Sequence, residues 1–71
     1  MANLNFSNEL GTTTIIELNN KTIGCIESKD GRFLVTIKNK KGNYADFNHA
    51  KREISEMISY ELNTQLIVSN K

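Results

Sequence analysis

Between residues 12 and 47 apolar and polar side chains alternate with period two, and three clusters of turn-forming residues interrupt the alternation at near-regular intervals. Such a pattern commits the chain to antiparallel strands joined by tight hairpins, because parallel neighbours would need crossovers of about a dozen residues or more. Residues 12–18 are rich in β-branched side chains and read as a first strand. Asn19-Asn20 suits a two-residue type I′ turn, since asparagine tolerates positive φ, and residues 21–27 form the second strand. Lys29-Asp30-Gly31 fits a three-residue loop that pairs Ser28 with Arg32, and Lys40-Lys41-Gly42 repeats that form and pairs Asn39 with Asn43. These turns place Ile16, Leu18, Ile23, Cys25, Phe33, Val35, Ile37, Ala45 and Phe47 on one face. The other face then carries Ile15, Ile26, Arg32, Leu34, Thr36, Lys38 and Tyr44.

After Asn48, the expected N-cap, the period lengthens to that of a helix. Ala50, Ile54, Met57, Ile58 and Leu62 make an apolar stripe, with Asn63 as the stop. A rod of about 15 residues spans ~22 Å, enough to cross a four-stranded sheet and seal its apolar face. Leu66-Ile67-Val68 reads as a short last strand, either antiparallel beside the first strand or parallel beside the fourth. Residues 1–11 are an irregular lead or a short edge strand, in which Leu4 and Phe6 alternate and Leu10 tucks under the sheet edge. The expectation for residues 1–71 is one small α+β domain: an antiparallel four-stranded meander, one helix on one face, and a short C-terminal strand.

The chain has 71 residues, a net charge of +1 and one cysteine. That balance excludes a globally basic nucleic-acid wrapper, and a lone cysteine excludes an internal disulfide. No apolar run approaches the ~18 residues of a membrane span, and the first ten residues lack the pattern of a secretory signal, so a cytoplasmic protein is expected. Asn, Ile and Lys supply 25 of the 71 residues, a bias towards AT-rich codons that points to a bacterial, phage or plasmid genome. So small a core leaves little net stability, which makes dimerisation through a strand edge or the exposed sheet face a reasonable expectation.

Catalysis meets a shortage of equipment. The only histidine is His49 and the only cysteine is Cys25, placed here on the buried face where a thiol acts as a small hydrophobe. Glu53 and Glu56 both look solvated, no Cys/His spacing suits zinc, and the glycines are too scattered for a phosphate loop. No enzyme, no cofactor and no metal are expected. Charge layout says more than charge total. Residues 32–52 hold six basic groups (Arg32, Lys38, Lys40, Lys41, Lys51, Arg52) against Asp46, whereas the remainder holds three lysines against seven acids. Lys51 and Arg52 near the helix start, and Glu61 near its end, run against the macrodipole, which suggests that something besides helix stability selected them. The uncovered face mixes aliphatic, aromatic and basic groups and suits a partner.

Residues 21–60, with Lys29-Asp30-Gly31-Arg32-Phe33, a basic hairpin, Phe47 and a helix, resemble the arm-type DNA-binding domain of tyrosine recombinases. That resemblance implies a three-stranded sheet laid in the major groove, with Arg32, Thr36, Lys38, Lys40, Lys41 and Tyr44 as contacts. Asn48-His49-Ala50-Lys51-Arg52 faintly echoes the helix start of a double-stranded-RNA-binding domain. In size, composition and lack of catalytic groups the chain is similar to small phage-borne inhibitors such as anti-CRISPR proteins. The expectation is a non-enzymatic protein-binding module, of the phage or mobile-element inhibitor class, with a DNA- or RNA-binding domain as the alternative. Its contact candidates are Arg32, Leu34, Thr36, Lys38, Lys40, Lys41, Tyr44, Lys51 and Arg52.

Overall fold

A computed structural model describes residues 1–8 and 11–70; the expected place of Leu10 lies outside the described residues. The elements run β1 (Ala2–Asn8), β2 (Thr13–Leu18), β3 (Lys21–Lys29), β4 (Arg32–Ile37), β5 (Lys40–Tyr44), α1 (Phe47–Leu62) and β6 (Leu66–Asn70). They build one six-stranded sheet, ordered β5-β4-β3-β2-β1-β6, with the helix on one face. The α+β class is as the sequence suggests, but the meander has five strands.

The fifth comes from residues 1–11. Ala2, Leu4 and Phe6 are buried while Asn3 and Ser7 alternate with them towards the open face, the clean period of a half-buried strand. β1 pairs antiparallel with β2, Leu4 opposite Leu18 and Phe6 opposite Ile16, and is an interior strand rather than an irregular lead or an edge. Asn19 fastens it: its N–H donates to the Asn3 carbonyl (2.8 Å), and its Oδ1 accepts from the Asn3 N–H (3.0 Å). β1 also decides where the last strand goes. β6 does run opposite to β2, but the place beside β2 is taken, so β6 lies parallel to β1, with Ala2 opposite Leu66 and Phe6 opposite Asn70. Neither seat expected for it is occupied.

The first hairpin turns at Asn19-Asn20 as expected, with φ of 51° and 69°, and pairs Leu18 with Lys21. A register shift follows between Ile16 and Glu17, so that Ile16 faces Gly24 and Thr14 faces Ile26. Ile26 is therefore in the core, and Cys25, expected inside, pairs with Ile15 and Thr36 on the open face. Gly24 belongs at this crowded point: a Cβ there would collide with the Thr36 carbonyl and come within 2.9 Å of the Ile37 side chain. The second loop is also one residue shorter than expected, Asp30-Gly31 with φ of 53° and 75°, pairing Lys29 with Arg32. The third hairpin turns at Lys38-Asn39, with Ile37 opposite Lys40, and Lys40-Lys41-Gly42 lies within β5. That puts Tyr44 on the helix side opposite Phe33, leaves Ala45 exposed in a bend, and moves Lys38 from strand to turn.

Asp46, not Asn48, caps the helix. Its backbone is extended (φ −129°, ψ 129°), and its Oδ1 accepts from the Asn48 N–H at 3.1 Å. Phe47, expected at a strand end, opens the helix and packs on Phe33 with ring centroids 5.5 Å apart. Asn63 ends the helix in the left-handed conformation (φ 50°). Sixteen residues make a rod about 24 Å long that runs along the strands rather than across them: near its start it meets Tyr44 of β5 and Asn70 of β6, and near its end Lys40 of β5 and Leu66 of β6. Ala50, Ile54 and Ile58 are buried against Leu4, Phe6, Ile16, Ile26, Val35 and Ile37, with Met57 packed alongside, while Leu62 is half exposed.

Candidate interaction surface

The expected contact residues divide among several places. Arg32, Leu34 and Thr36 do share the open face along β4, with Lys41 of β5 opposite Thr36 and Lys38 in the turn at their end. Arg32 Nε donates to Asn43 Oδ1 at 2.8 Å, which draws the guanidinium across to β5. Tyr44 is on the other side of the sheet, its ring edge-on to His49 at 5.3 Å, and His49 Nε2 lies 4.0 Å from Glu53 Oε2. Lys40 also leaves the open face and reaches the helix end. Lys51 crosses to the opposite flank, where its Nζ sits 5.1 Å from the Phe47 ring centroid and 5.8 Å from that of Phe6, and donates to Asn70 Oδ1 at 2.9 Å. Arg52 is exposed on the helix, with no ion pair to Glu56 among the described residues. The basic 32–52 segment is thus spread over both faces and both ends of the sheet. Packing over two aromatic rings supplies a reason for Lys51 at a helix start that disfavours cations.

Loss of Ile26 and Tyr44 to the helix side also makes the open face plainer than expected. Its strands present Asn3, Asn5, Thr13, Asn43 and Ser69, with Glu17 and Glu27 set among Lys29, Arg32 and Lys41, and only Ile15, Cys25, Leu34 and Ile67 as apolar groups. Asn5 Nδ2 donates to Glu17 Oε1 at 3.0 Å across β1 and β2. Such a surface is what a one-sided antiparallel sheet shows to water.

Lys40 instead serves the fold. Its Nζ donates to Glu61 Oε1 at 2.8 Å, tying β5 to the last turn of α1. That hydrogen bond, then the charge of Lys40 and, more weakly, that of Lys38, holds the Glu61 carboxyl below its ordinary range. A carboxyl depressed in the folded state adds stability above its ordinary value, ~4.3, and that contribution is lost as pH falls through the lowered folded value. Glu61→Gln should therefore lower the midpoint of thermal unfolding slightly at neutral pH, and by nothing at about pH 2. Paired melts at the two pH values check this, and an equal drop at both would assign the effect to something other than ionisation.

The two sheet edges differ sharply. β5 carries adjacent lysines, Lys40 and Lys41, a usual guard against strand addition. β6, Leu-Ile-Val-Ser-Asn, has no charge, no proline and no bulge against β1. Ile67, on the open face, is 52% exposed; Val68, on the helix side, is 47% exposed and shares a groove with Tyr60 of the helix, 88% exposed. A groove of about 710 Å³ runs between helix and edge, lined by Ser55, Glu56, Ser59, Tyr60, Leu66 and Val68. The outward backbone of β6 is identifiable as well. The Gln65 carbonyl accepts from the Ala2 N–H at 3.2 Å and so points inward, and alternation then turns the N–H and C=O of Leu66, Val68 and Asn70 outward. Ile67 and Val68 were legible in the sequence as a last strand, but neither they nor Tyr60 stood out as contact residues. The usable signal was the contrast between an uncharged last strand and a lysine-bearing one, which says nothing until both are known to be edges.

Among the described residues no group of three or more His, Cys, Asp or Glu side chains is placed to hold a metal ion, and no described helix is long and apolar enough to cross a membrane. No protein family, curated protein or solved structure matches the chain.

Proposed function

We propose that this chain is a small non-enzymatic protein-binding module that docks its partner by strand addition along β6. The unguarded β6 edge carries the reading: outward N–H and C=O groups at Leu66, Val68 and Asn70 offer main-chain hydrogen bonds, and the groove under Tyr60 offers a pocket for side chains. Against a nucleic-acid partner stands the dispersal of the basic residues, with Lys40 held by Glu61 and Lys51 by Asn70. On the open face Lys29 and Arg32 pair at one end of β4, while Lys41 and Lys38 lie towards the other and Glu27 stands among them, which is no continuous phosphate track.

The test uses the full chain as bait in a bacterial lysate. A partner should be retained by the parent and by the Lys38/Lys40/Lys41 triple alanine variant, and lost from Val68→Lys, which puts a charge on the edge. Generic duplex DNA is titrated in parallel at low and moderate salt. Micromolar DNA binding that weakens steeply with salt and disappears in the triple variant would replace this reading with a nucleic-acid-binding one.

A further inference from the structure

Resting on the reading of β6 as a docking edge, we infer that its partner is a second copy of this chain, joined across a two-fold axis at Val68 into a continuous twelve-stranded sheet. Leu66, Val68 and Asn70 turn their backbone groups outward, and these positions are symmetric about Val68. An antiparallel mate brought in by a two-fold there sets Val68 against Val68 and Leu66 against the partner's Asn70. Three outward N–H and three outward C=O groups from each chain then satisfy one another with none left over. No charged side chain lies in Leu66–Asn70 to be set against its own image.

The helix flanks favour the same arrangement. On this side Lys51 stands level with Asn70, while Tyr60 and Glu56 line the groove that continues to Leu66. A two-fold reverses that order, so the end bearing Lys51 meets the end bearing the partner's Glu56 and Tyr60.

Sedimentation velocity of the full chain from low micromolar to millimolar concentration should show a reversible monomer–dimer equilibrium. Val68→Lys, which opposes two like charges at the axis, should raise Kd by at least about tenfold. Its circular dichroism and melting at low concentration should stay those of the parent, since Val68 is half exposed. Lys41→Ala on the far edge should leave Kd unchanged. In a Cys25→Ser background, Val68→Cys should oxidise to a covalent dimer, because directly opposed strand residues fall within disulfide reach, whereas Thr36→Cys should not. A monomer throughout the concentration range, or a dimer indifferent to Val68→Lys, would overturn the inference. If the chain is monomeric yet a lysate partner is lost on Val68→Lys, the docking edge stands and only the second copy is rejected. If lysate capture and self-association both ignore Val68→Lys, the docking edge itself is rejected.

Discussion

Phe6→Ala should destabilise the protein by about 3–5 kcal/mol, most of what a chain of this size has. Phe6 is buried in the shared core, on a strand hydrogen-bonded on both sides, to β2 and to β6. Removing its ring leaves a cavity beneath α1 and takes away one of the two rings beside the Lys51 ammonium. Deleting residues 1–8 should abolish cooperative folding altogether, since Ala2, Leu4 and Phe6 go together and β6 loses the strand it pairs with. Ile67→Ala is the control: on the exposed edge it should cost below about 1 kcal/mol. Urea unfolding followed by circular dichroism measures all three. A truncated chain that still unfolds cooperatively, within ~1 kcal/mol of the parent, would show that the first strand is dispensable and the sheet order wrong.

The second large effect is a contrast between neighbours. Ile26→Asp should leave the chain unfolded at 25 °C, because it buries an unpaired carboxylate among Val35, Thr14 and the helix. Cys25→Asp, one residue earlier, should fold, at a cost of about 1 kcal/mol or less, because that side chain is on the open sheet face between Ile15 and Thr36. The same experiment discriminates between two registers. Pairing the first hairpin without the shift at Ile16/Glu17 would put Cys25 inside and Ile26 outside, and the outcomes would exchange. A folded Ile26→Asp protein would remove the basis for every assignment of faces in β3.

Why alternation misled at β3 and not at β4 is instructive. Ile23, Cys25 and Ile26 put apolar groups at both parities, so period two alone does not choose between them. The register shift turns the strand over, and the loop at Asp30-Gly31, one residue shorter than the composition suggests, turns it back. Two changes of one residue cancel, and Phe33, Val35 and Ile37 face the helix just as a simple meander requires. At β5 nothing cancels: the turn at Lys38-Asn39 moves Tyr44 inside and takes the aromatic group away from the expected contact surface. A cap showed the same competition on a smaller scale. Asn48 and Asp46 are both acceptable N-caps, and Asp46 wins because Phe47 is drawn into the first turn to meet Phe33.

What the linear chain determined is what depends on near neighbours: a β-rich first part, the Asn19-Asn20 turn, one amphipathic helix stopped at Asn63, and a last strand at Leu66. Period and turn chemistry act over a few residues, and those few residues carry the whole signal. Only the tertiary structure decided which strands are edges, which of two parities faces inward after a shift, and where the basic side chains end up. Each of these is set by pairing between distant segments, above all by β1 occupying the place beside β2 and sending β6 to the margin. An uncharged last strand acquires meaning as a docking edge only from that placement.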